Sequence, residues 1–365
     1  MDDARGRSAG GGVSRGGGGL GLLGIIGRAF GLKGIIAAVV LGYDVLLRIA
    51  SAMHPHSARR GWHNTPVSGV FGATAAAARI AGLDTATTRD AFGLAASFSG
   101  GLRQYLRDGA EVKRLHPGKA ARDGLVCAGL AAEGITGALE CLEGAEGLFA
   151  AMIDGKADAS QITEGLGESF LIETAYFKPY PCCRHFHAAL DAVLDLRREA
   201  AIGSGDVAAV EIGLYSVGFQ GHDHRTARNL LEAQMSAPCA ATVALINGRV
   251  GAADFDPSAF TGAEAQRLLE ATTVYVDAEC DRVYPKLRGG VVTLRLTDGR
   301  VLDRRVLDPR GEGGNPLTDD DLGRKFIANA TGCLGAAQAG RLLDLLWSTD
   351  AGTELSSIRS LLSPN

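Results

Sequence analysis

Residues 176–187 read YFKPYPCCRHFH, and the rest of the chain is organised around this stretch. It carries Lys178, two cysteines, Arg184 and two histidines on a backbone stiffened by two prolines, which fix φ and prevent a helix before about Ala188. Apolar residues at helical spacing follow, so a helix is predicted over 187–200. The reactive side chains therefore precede a helix N-terminus, where backbone N–H groups and the positive dipole end favour an anion such as a carboxylate.

Length and charge define the broad class of the protein. A chain of 365 residues predicts about two domains, at ~100 to 200 residues each. The formal net charge is -4, and lysines and arginines are scattered along the sequence. Because there is no basic excess to neutralise phosphates, no nucleic-acid partner is expected.

Cysteine usage and the first segment of the chain bear on the compartment. The seven cysteines are an odd number and, apart from Cys182 and Cys183, lie far apart, which does not resemble a disulfide framework. The chain begins with acidic residues, and the apolar stretch 20–41 is interrupted by Arg28, Lys33 and glycines. Neither a signal peptide nor a membrane span is predicted, and a cytoplasmic location is expected.

Composition and periodicity divide the chain into four predicted segments. Residues 1–33 are rich in glycine and are expected to be poorly ordered; residues 34–176 are helical, residues 177–312 mix helices with strands, and residues 313–365 are helical again. The predicted helices are 34–50, 66–80, 88–97, 118–133, 187–200, 228–247, 262–270, 318–330, 335–347 and 353–362, with Thr88 and Thr318 as N-caps. The predicted strands are 207–214, 272–276, 291–296 and 301–306, the last two joined as a hairpin by Asp298-Gly299.

The predicted fold class is mainly α. An all-helical domain, discontinuous in sequence, is interrupted by an inserted α+β domain, and residues 313–365 return to the first helical layer. Alanine and glycine faces should let the helices of the first layer approach closely. The stretch 176–187 lies at the border of the two domains, and clefts between domains are favoured places for small-molecule sites.

Two further loops place cations or histidines just before a predicted helix. One is 59–66, which contains His63, and the other is 112–118, which contains Lys113, Arg114 and His116. Cations are disfavoured at a helix start unless an anion lies between them, so both loops and 176–187 are predicted to converge on an anion pocket. Taken singly, His63 is equally well explained as a loop or core histidine, and Lys113 and Arg114 as a solvated face.

The stretch 176–187 also allows a metal interpretation, because thiolate and imidazole are zinc ligands. Adjacent cysteines such as Cys182 and Cys183 do not easily face one tetrahedral centre, and His185 and His187 are not supported by a second pair at ligand spacing. The glycine run 10–19 follows no predicted strand, and the sequence has no phosphate loop and no G-x-S-x-G motif. No metal and no organic cofactor are predicted.

Four motifs, taken in order, resemble the MmgE/PrpD family, which includes 2-methylcitrate dehydratase, cis-aconitate decarboxylase and iminodisuccinate epimerase. They are GWHNT at 61–65, VKRLHPG at 112–118, KPYPCCRH at 178–185 and AQMSAP at 233–238, and the resemblance extends from about Gly34 to the end. It implies a helical domain with an α+β lid and a homodimer. It also implies chemistry without a metal or organic cofactor, in the cleft between the domains, on a small di- or tricarboxylic acid.

The resemblance implies roles for individual residues. His63, Lys113 and Lys178 match catalytic positions, and His185 lies in the segment that supplies a further catalytic histidine. Cys183 stands where the decarboxylase has a histidine, and Cys239 where many relatives have a tyrosine, so a specificity other than that of the decarboxylase is expected. The expected substrate-binding residues are Arg114, His116, Cys183, Arg184, His187 and Gln234.

The N-terminus departs from the family pattern. Relatives carry further helices and an Asp-rich turn followed by His-Pro, which supply a catalytic aspartate and histidine. Here the chain begins Met1-Asp2-Asp3-Ala4, and glycines 10–12 occupy the position of the His-Pro. The first catalytic pair is therefore expected to be missing, and the rival hypothesis is a truncated, catalytically impaired member that only binds carboxylates.

The main hypothesis is a lyase or isomerase that removes a proton α to a carboxylate. His63 or His185 would transfer the proton, because imidazole titrates near working pH. Loss of hydroxide would make the protein a dehydratase, and reprotonation on the opposite face would make it an epimerase; the sequence leaves both open. The cations expected to stabilise the enolate-like intermediate are Lys113, Lys178, Arg114 and Arg184.

Overall fold

The computed structural model describes residues 32–350, 353 and 355–362. The predicted poorly ordered start, residues 1–33, lies outside the described residues except for Leu32 and Lys33, which begin a helix. The departures from the family pattern at residues 1–4 and 10–12 also lie outside them.

Helices dominate the described chain, which confirms the mainly α prediction, and the strands form one small mixed sheet. The longer α-helices are Leu32–Met53, Asn64–Ala81, Thr85–Phe98, Leu115–Ala132, His187–Glu199, Ala237–Asn247, Ala263–Glu270, Asp319–Leu334 and Ala336–Ser348. Short α-helices are His56–Arg59, Tyr105–Asp108, Leu148–Ile153, Ser160–Thr163, Ser216–Phe219, Leu230–Gln234, Ala278–Val283 and Leu355–Ser360. Single 3₁₀ turns are Glu111–Arg114, Leu171–Thr174, Arg184–Phe186, Ser204–Asp206, Ala252–Phe255 and Pro257–Phe260.

The chain groups into two compact units. Among the described residues, the helical unit comprises those up to Gly101, His116–Glu168 and those within 349–357; the sheet-containing unit comprises Leu102–Leu115, Ser169–Ser348 and those from Ile358. This grouping differs from the predicted boundaries 34–176, 177–312 and 313–365, because the loop 102–115 and the helices of 319–348 join the sheet-containing unit.

Direct polar contacts explain why the helix Asp319–Leu334 groups with the sheet-containing unit. Lys325 Nζ donates to the carbonyl oxygen of Lys178 at 2.7 Å, and Arg310 forms an ion pair with Asp321 at 2.9 Å. The cap predicted for this helix is confirmed: Thr318 and Asp321 form a reciprocal capping box.

Glycines bring two helices of the helical unit into close contact. A Cβ atom on Gly72 would lie 2.4 Å from the carbonyl oxygen of Gly42, and a Cβ atom on Gly42 would lie 2.9 Å from that of Gly72. The helices Leu32–Met53 and Asn64–Ala81 therefore approach at a distance that only glycine permits. The apolar core of this unit includes Ile49, Met53, Val67, Val70, Phe71, Phe149 and Ile153.

Helix boundaries in this unit correct two predictions. The helix predicted to begin at Thr88 begins at Thr85, because the carboxylate of Asp84 accepts a hydrogen bond from the Thr87 N–H at 2.8 Å and caps the helix one turn earlier. The helix predicted over 118–133 begins at Leu115, with Pro117 in its first turn, where a missing N–H costs nothing. The helix predicted over 66–80 is the helix Asn64–Ala81, and it ends before Gly82, which has a left-handed φ of 69°.

The sheet of the second unit has the strands β1 (Val207–Leu214), β2 (Thr272–Val276), β3 (Gly290–Leu296) and β4 (Val301–Val306) in the order β2-β1-β3-β4. β1 and β2 are parallel, and the other pairs are antiparallel. The predicted hairpin is confirmed: Gly299 has φ 88° and its N–H donates to the Leu296 carbonyl at 3.1 Å. The helices His187–Glu199 and Ala237–Asn247 share one apolar core with β1 and β3.

The helix predicted over 228–247 is two helices, Leu230–Gln234 and Ala237–Asn247. Ser236 interrupts it, because its hydroxyl accepts a hydrogen bond from the Cys239 N–H at 3.1 Å and so caps the second helix, with Pro238 in the first turn. At the break, the carbonyl of Gln234 and the N–H of Ala237 form hydrogen bonds with other parts of the unit.

The helix Leu32–Met53 is long and apolar enough to cross a membrane by length and composition, with a mean hydropathy of 1.9 in its most apolar window. One third of that window, 33%, is buried in the protein, and core helices of soluble proteins pass the same test. Its buried face also holds an ion pair between Asp44 and Arg48 at 2.7 Å. The absence of a membrane span stays a prediction.

The close approach of the two helices can be tested with a pair of Gly→Ala exchanges. Gly72→Ala should lower the free energy of unfolding by about 1–3 kcal/mol, because the new methyl group meets backbone atoms that cannot move aside. Gly118→Ala is the control in the same unit, since nothing lies within 4 Å of its added Cβ; it should be neutral or stabilising by up to about 1 kcal/mol. Urea unfolding gives the change in the free energy of unfolding for both variants. Equal changes would contradict the close contact of the helices Leu32–Met53 and Asn64–Ala81.

Candidate active site

The stretch 176–187 is built as the sequence predicts. After Pro179 and Pro181 the chain makes the 3₁₀ turn Arg184–Phe186 and passes directly into the helix His187–Glu199. Cys183 is the residue before the turn, with φ -64° and ψ 133°, so the first free N–H groups of the turn follow it. This position favours negative charge on the sulfur.

Two backbone hydrogen bonds fix the segments that surround Cys183. The Cys183 N–H donates to the carbonyl oxygen of Gln234 at 2.8 Å, and the Ala237 N–H donates to the carbonyl oxygen of His222 at 2.8 Å. The loop that carries His222 and the stretch 176–187 are thus both tied to the break between two helices. This arrangement places the Cys183 sulfur 3.2 Å from Nε2 of His222.

Electrostatics around Cys183 favour its thiolate. Burial raises the pKa of the Cys183 thiol, but the hydrogen bond and charge of His222, the His185 N–H and the charge of Lys113 together bring this pKa below its ordinary value. The neighbouring Cys182 lacks such partners, and burial raises its pKa well above the ordinary value. The pKa values of two adjacent thiols are therefore shifted in opposite directions.

Lys113 lies on the turn Glu111–Arg114 and is half-buried. Its Nζ is 3.5 Å from the sulfur of Met235 and 6.0 Å from the ring centre of Tyr105. Burial lowers the pKa of Lys113, and the positive charges of Lys178, Arg114 and Arg103 lower it further, against the opposing effect of Cys183. An anion bound next to Lys113 would therefore stabilise its charged form.

Lys178 and Arg114 complete the cationic part of the site. Lys178 Nζ lies 3.3 Å from the carbonyl oxygen of Cys182, at the start of the Cys183 turn. Arg114 donates to the side-chain oxygen of Gln234 at 3.0 Å, which ties the Lys113 turn to the same helix break. The structure thus brings together the predicted site residues Lys113, Arg114, Lys178, Cys183, His185 and Gln234 in the sheet-containing unit.

His185 is held as a neutral imidazole. Burial lowers the pKa of His185 to about 3, and the charges of His222, Arg288, Arg184 and Lys178 act in the same direction. Its Nδ1 lies 2.5 Å from the hydroxyl of Tyr215, whose ring stacks on that of Tyr284 at 4.4 Å. A neutral imidazole hydrogen-bonded to a tyrosine can orient a substrate oxygen, whereas a pKa of about 3 makes it a weak base.

Arg184 and His187, predicted to bind substrate, have partners within the fold. The guanidinium of Arg184 forms an ion pair with Glu312 and lies 4.6 Å from the ring centre of Tyr176. His187 is fully buried, with its ring 5.2 Å from that of Tyr180. Both residues therefore support the position of the stretch 176–187 from within.

His63 and His116 form a pair in the helical unit. Their Nδ1 atoms are 2.7 Å apart, and the His63 N–H donates to the carbonyl oxygen of Gly101 at 2.9 Å. Burial lowers the pKa of His116, and the charge of Lys119 lowers it further. The sequence motifs at 61–65 and 112–118 thus bring two imidazoles together in the helical unit. The predicted convergence of these loops with the stretch 176–187 stays a prediction.

Sequence reasoning missed three residues of the site. His222 lies in the segment Gly221-His222-Asp223-His224, a histidine-rich loop that could have been noticed, but only the tertiary structure pairs it with Cys183. Tyr215 ends a buried strand, and Met235 lies inside the quoted motif at 233–238 without an evident role. Across the described residues, no group of three or more His, Cys, Asp or Glu side chains could hold a metal ion.

The low pKa of His185 predicts a pH effect on stability. Its folded-state pKa of about 3 lies below the ordinary 6.5, so the unfolded chain takes up a proton that the folded chain refuses as the pH falls. The free energy of unfolding should therefore decrease from about pH 6.5 downwards. In His185→Gln this decrease should be smaller between about pH 7 and 5.5, while above pH ~7 the two proteins should differ by a constant. Urea unfolding at each pH in this range gives the free energy of unfolding of both proteins. Parallel curves of this free energy against pH throughout would contradict the low pKa of His185.

Comparison with known proteins gives the family. A cis-aconitate decarboxylase-like protein, oryM, of Aspergillus oryzae is 26% identical over 343 residues, covering 90% of this chain and 70% of the relative. Cis-aconitate decarboxylase of Aspergillus terreus is 24% identical over 348 residues, 90% of this chain and 70% of the relative, and that of Homo sapiens is 23% identical over 339 residues, 90% and 68%. Residues 14–161 match the MmgE/PrpD N-terminal domain and residues 180–350 the MmgE/PrpD C-terminal domain. The chain therefore belongs to the MmgE/PrpD family.

Proposed function

We propose that the protein is a lyase or isomerase that acts on a small di- or tricarboxylic acid by removing a proton α to a carboxylate. The observation that carries this proposal is the grouping of Lys113, Lys178 and Arg114 around Cys183, His185 and His222. Cations next to the neutral imidazole of His185 and a thiol of lowered pKa suit a substrate that is an anion and becomes more negative during the reaction.

The cations supply the electrostatic part of this chemistry. An α-proton next to a carboxylate is far less acidic than any side chain, so the developing enolate needs preorganised positive charge in a water-poor site. Lys113 is half-buried and forms no ion pair with a carboxylate of the described residues. Lys178 lies close enough for its positive charge to lower the pKa of Lys113. A bound polycarboxylate would restore the pKa of Lys113 towards its ordinary value.

His185 contributes as a neutral group in this proposal. Its hydrogen bond with Tyr215 lets the pair present one proton to a carboxylate or hydroxyl oxygen without adding charge. Because its pKa is about 3, we assign it the positioning of substrate and not proton removal. The catalytic role predicted for His63 stays a prediction.

The relatives support a lyase on a tricarboxylic acid as the reaction class. Their names refer to decarboxylation of cis-aconitate. Cys183 in place of the histidine expected at that position supports a reaction other than decarboxylation, with dehydration and epimerisation as the two candidates.

Substitution of Lys113 tests the electrostatic role. With purified protein and cis-aconitate, citrate, 2-methylcitrate and iminodisuccinate as candidate substrates, Lys113→Ala should lower kcat/KM for the acid that is turned over by at least ~10²-fold. Lys286→Ala, which removes an exposed lysine of the same unit, should leave it unchanged. An unaltered rate in Lys113→Ala would remove this residue from the mechanism.

The same assay separates catalysis from binding alone. If none of these acids is turned over while citrate raises Tm, the protein is the impaired, carboxylate-binding member described by the rival hypothesis, since a ligand stabilises the folded state that it binds.

Metal removal tests the prediction of cofactor-free chemistry. Turnover should survive prolonged dialysis against a chelator and should not rise on adding back Mg²⁺, Mn²⁺ or Zn²⁺. Loss of activity that one of these ions restores would contradict it.

A further inference from the structure

We propose that Cys183 is the base that removes the substrate proton and that His222 completes the transfer; this proposal rests on the proposed function above. The sulfur of Cys183 and Nε2 of His222 are 3.2 Å apart, a hydrogen-bonding distance for this pair. The four sequence motifs do not indicate this pair, because His222 lies outside all of them.

Among the described residues, the His222 side chain has no hydrogen-bond partner other than Cys183. It is 7% exposed, and its Nδ1 atom is buried without a hydrogen bond to any of them. The imidazole is held by ring contacts instead, with centroids 5.3 Å from His185 and 5.9 Å from Phe186, and by its own carbonyl, which accepts from Ala237. The His222 imidazole is therefore placed to exchange a proton with the Cys183 sulfur.

The surroundings of Cys183 favour its thiolate over the thiol more than in an exposed cysteine. The backbone N–H of His185 points at the sulfur from the helix start, and Lys113 adds positive charge from the turn Glu111–Arg114. By contrast, the pKa values of the other buried thiols are raised: burial raises that of Cys239 to about 11 and that of Cys127 to about 11. The titratable residues that interact with Cys183 are Tyr105, Lys113, Cys182, Tyr215, His222 and, through its backbone N–H, His185. Lys178 interacts with the neighbouring Cys182.

In a dehydration, the pair Cys183–His222 would remove one proton from the substrate and deliver one to the leaving oxygen. The α C–H bond breaks and an S–H bond forms on Cys183, while the electron pair stays on carbon as an enolate next to Lys113 and Lys178. The C–O bond of the β-hydroxyl then breaks, and the imidazolium of His222 protonates the leaving oxygen, which departs as water. Transfer of the proton from the Cys183 thiol to neutral His222 restores the pair. No oxidant, reductant or further reactant is needed.

The charge state of Cys183 can be measured without any substrate. Native protein is treated with iodoacetamide over a range of pH, and modification of each cysteine is followed by peptide mass spectrometry. Cys183 should react from near-neutral pH, whereas Cys182, its neighbour on the same backbone, should react only at a much higher pH or not at all. Equal pH dependence of the two thiols, or no reaction of Cys183 under any native condition, would overturn the proposal.

Variants then separate the thiol from its partner. In His222→Asn, alkylation of Cys183 near pH 7 should slow by at least about tenfold, because the imidazole no longer favours the thiolate. Cys183→Ser should lower kcat by about 10² to 10⁴-fold with a smaller change in KM, whereas Cys182→Ala should leave both unchanged. Circular dichroism and Tm of each variant report whether the fold is retained.

The outcomes distinguish the two proposals. A reactive Cys183 in a protein that turns over no carboxylic acid contradicts the proposed function but leaves the thiolate–imidazole pair standing. Turnover that Cys183→Ser retains in full contradicts the role of Cys183 and leaves the proposed function standing.

Discussion

The hydrogen bond from the Cys183 N–H to the Gln234 carbonyl is the constraint on which the site depends. It exists because Ser236 ends one helix and caps the next, which leaves the Gln234 carbonyl available to a distant part of the chain. The Ala237 N–H, released by the same break, binds the His222 carbonyl. One interruption in a helix therefore places a thiol, an imidazole and, through Arg114, the turn that carries Lys113.

The site combines charges that would repel one another without a ligand. Burial lowers the pKa of Lys113, the charges of Lys178, Arg114 and Arg103 lower it further, and the neutral state of His185 avoids an additional charge. Cys183 offsets part of this repulsion, because its thiolate is negative and raises the pKa of Lys113. A polycarboxylate would offset more of it. The repulsion that destabilises the free protein is relieved when an anion binds or an enolate forms, so it favours both.

The sequence predicted those features that depend on local chemistry. The two prolines before the helix at His187, the Asp298-Gly299 hairpin and the capping box at Thr318 act within a few residues, and their motifs specify them. The pairing of Cys183 with His222, 39 residues away, depends on tertiary hydrogen bonds that no local pattern encodes. For the same reason the sequence could not reveal that Glu312 neutralises Arg184, or that Ser236 divides a helix whose apolar pattern is continuous.

The central claim is that Lys113, Lys178 and Cys183 surround a bound carboxylate. A crystal structure of the protein with tricarballylate, a tricarboxylate without the hydroxyl group that dehydration requires, tests it most directly. The account predicts one carboxylate within hydrogen-bonding distance of Lys113 Nζ and Lys178 Nζ, and a methylene carbon of the ligand in van der Waals contact with the Cys183 sulfur. A ligand bound elsewhere, with Lys113 still against Met235 and no anion beside it, would contradict the account.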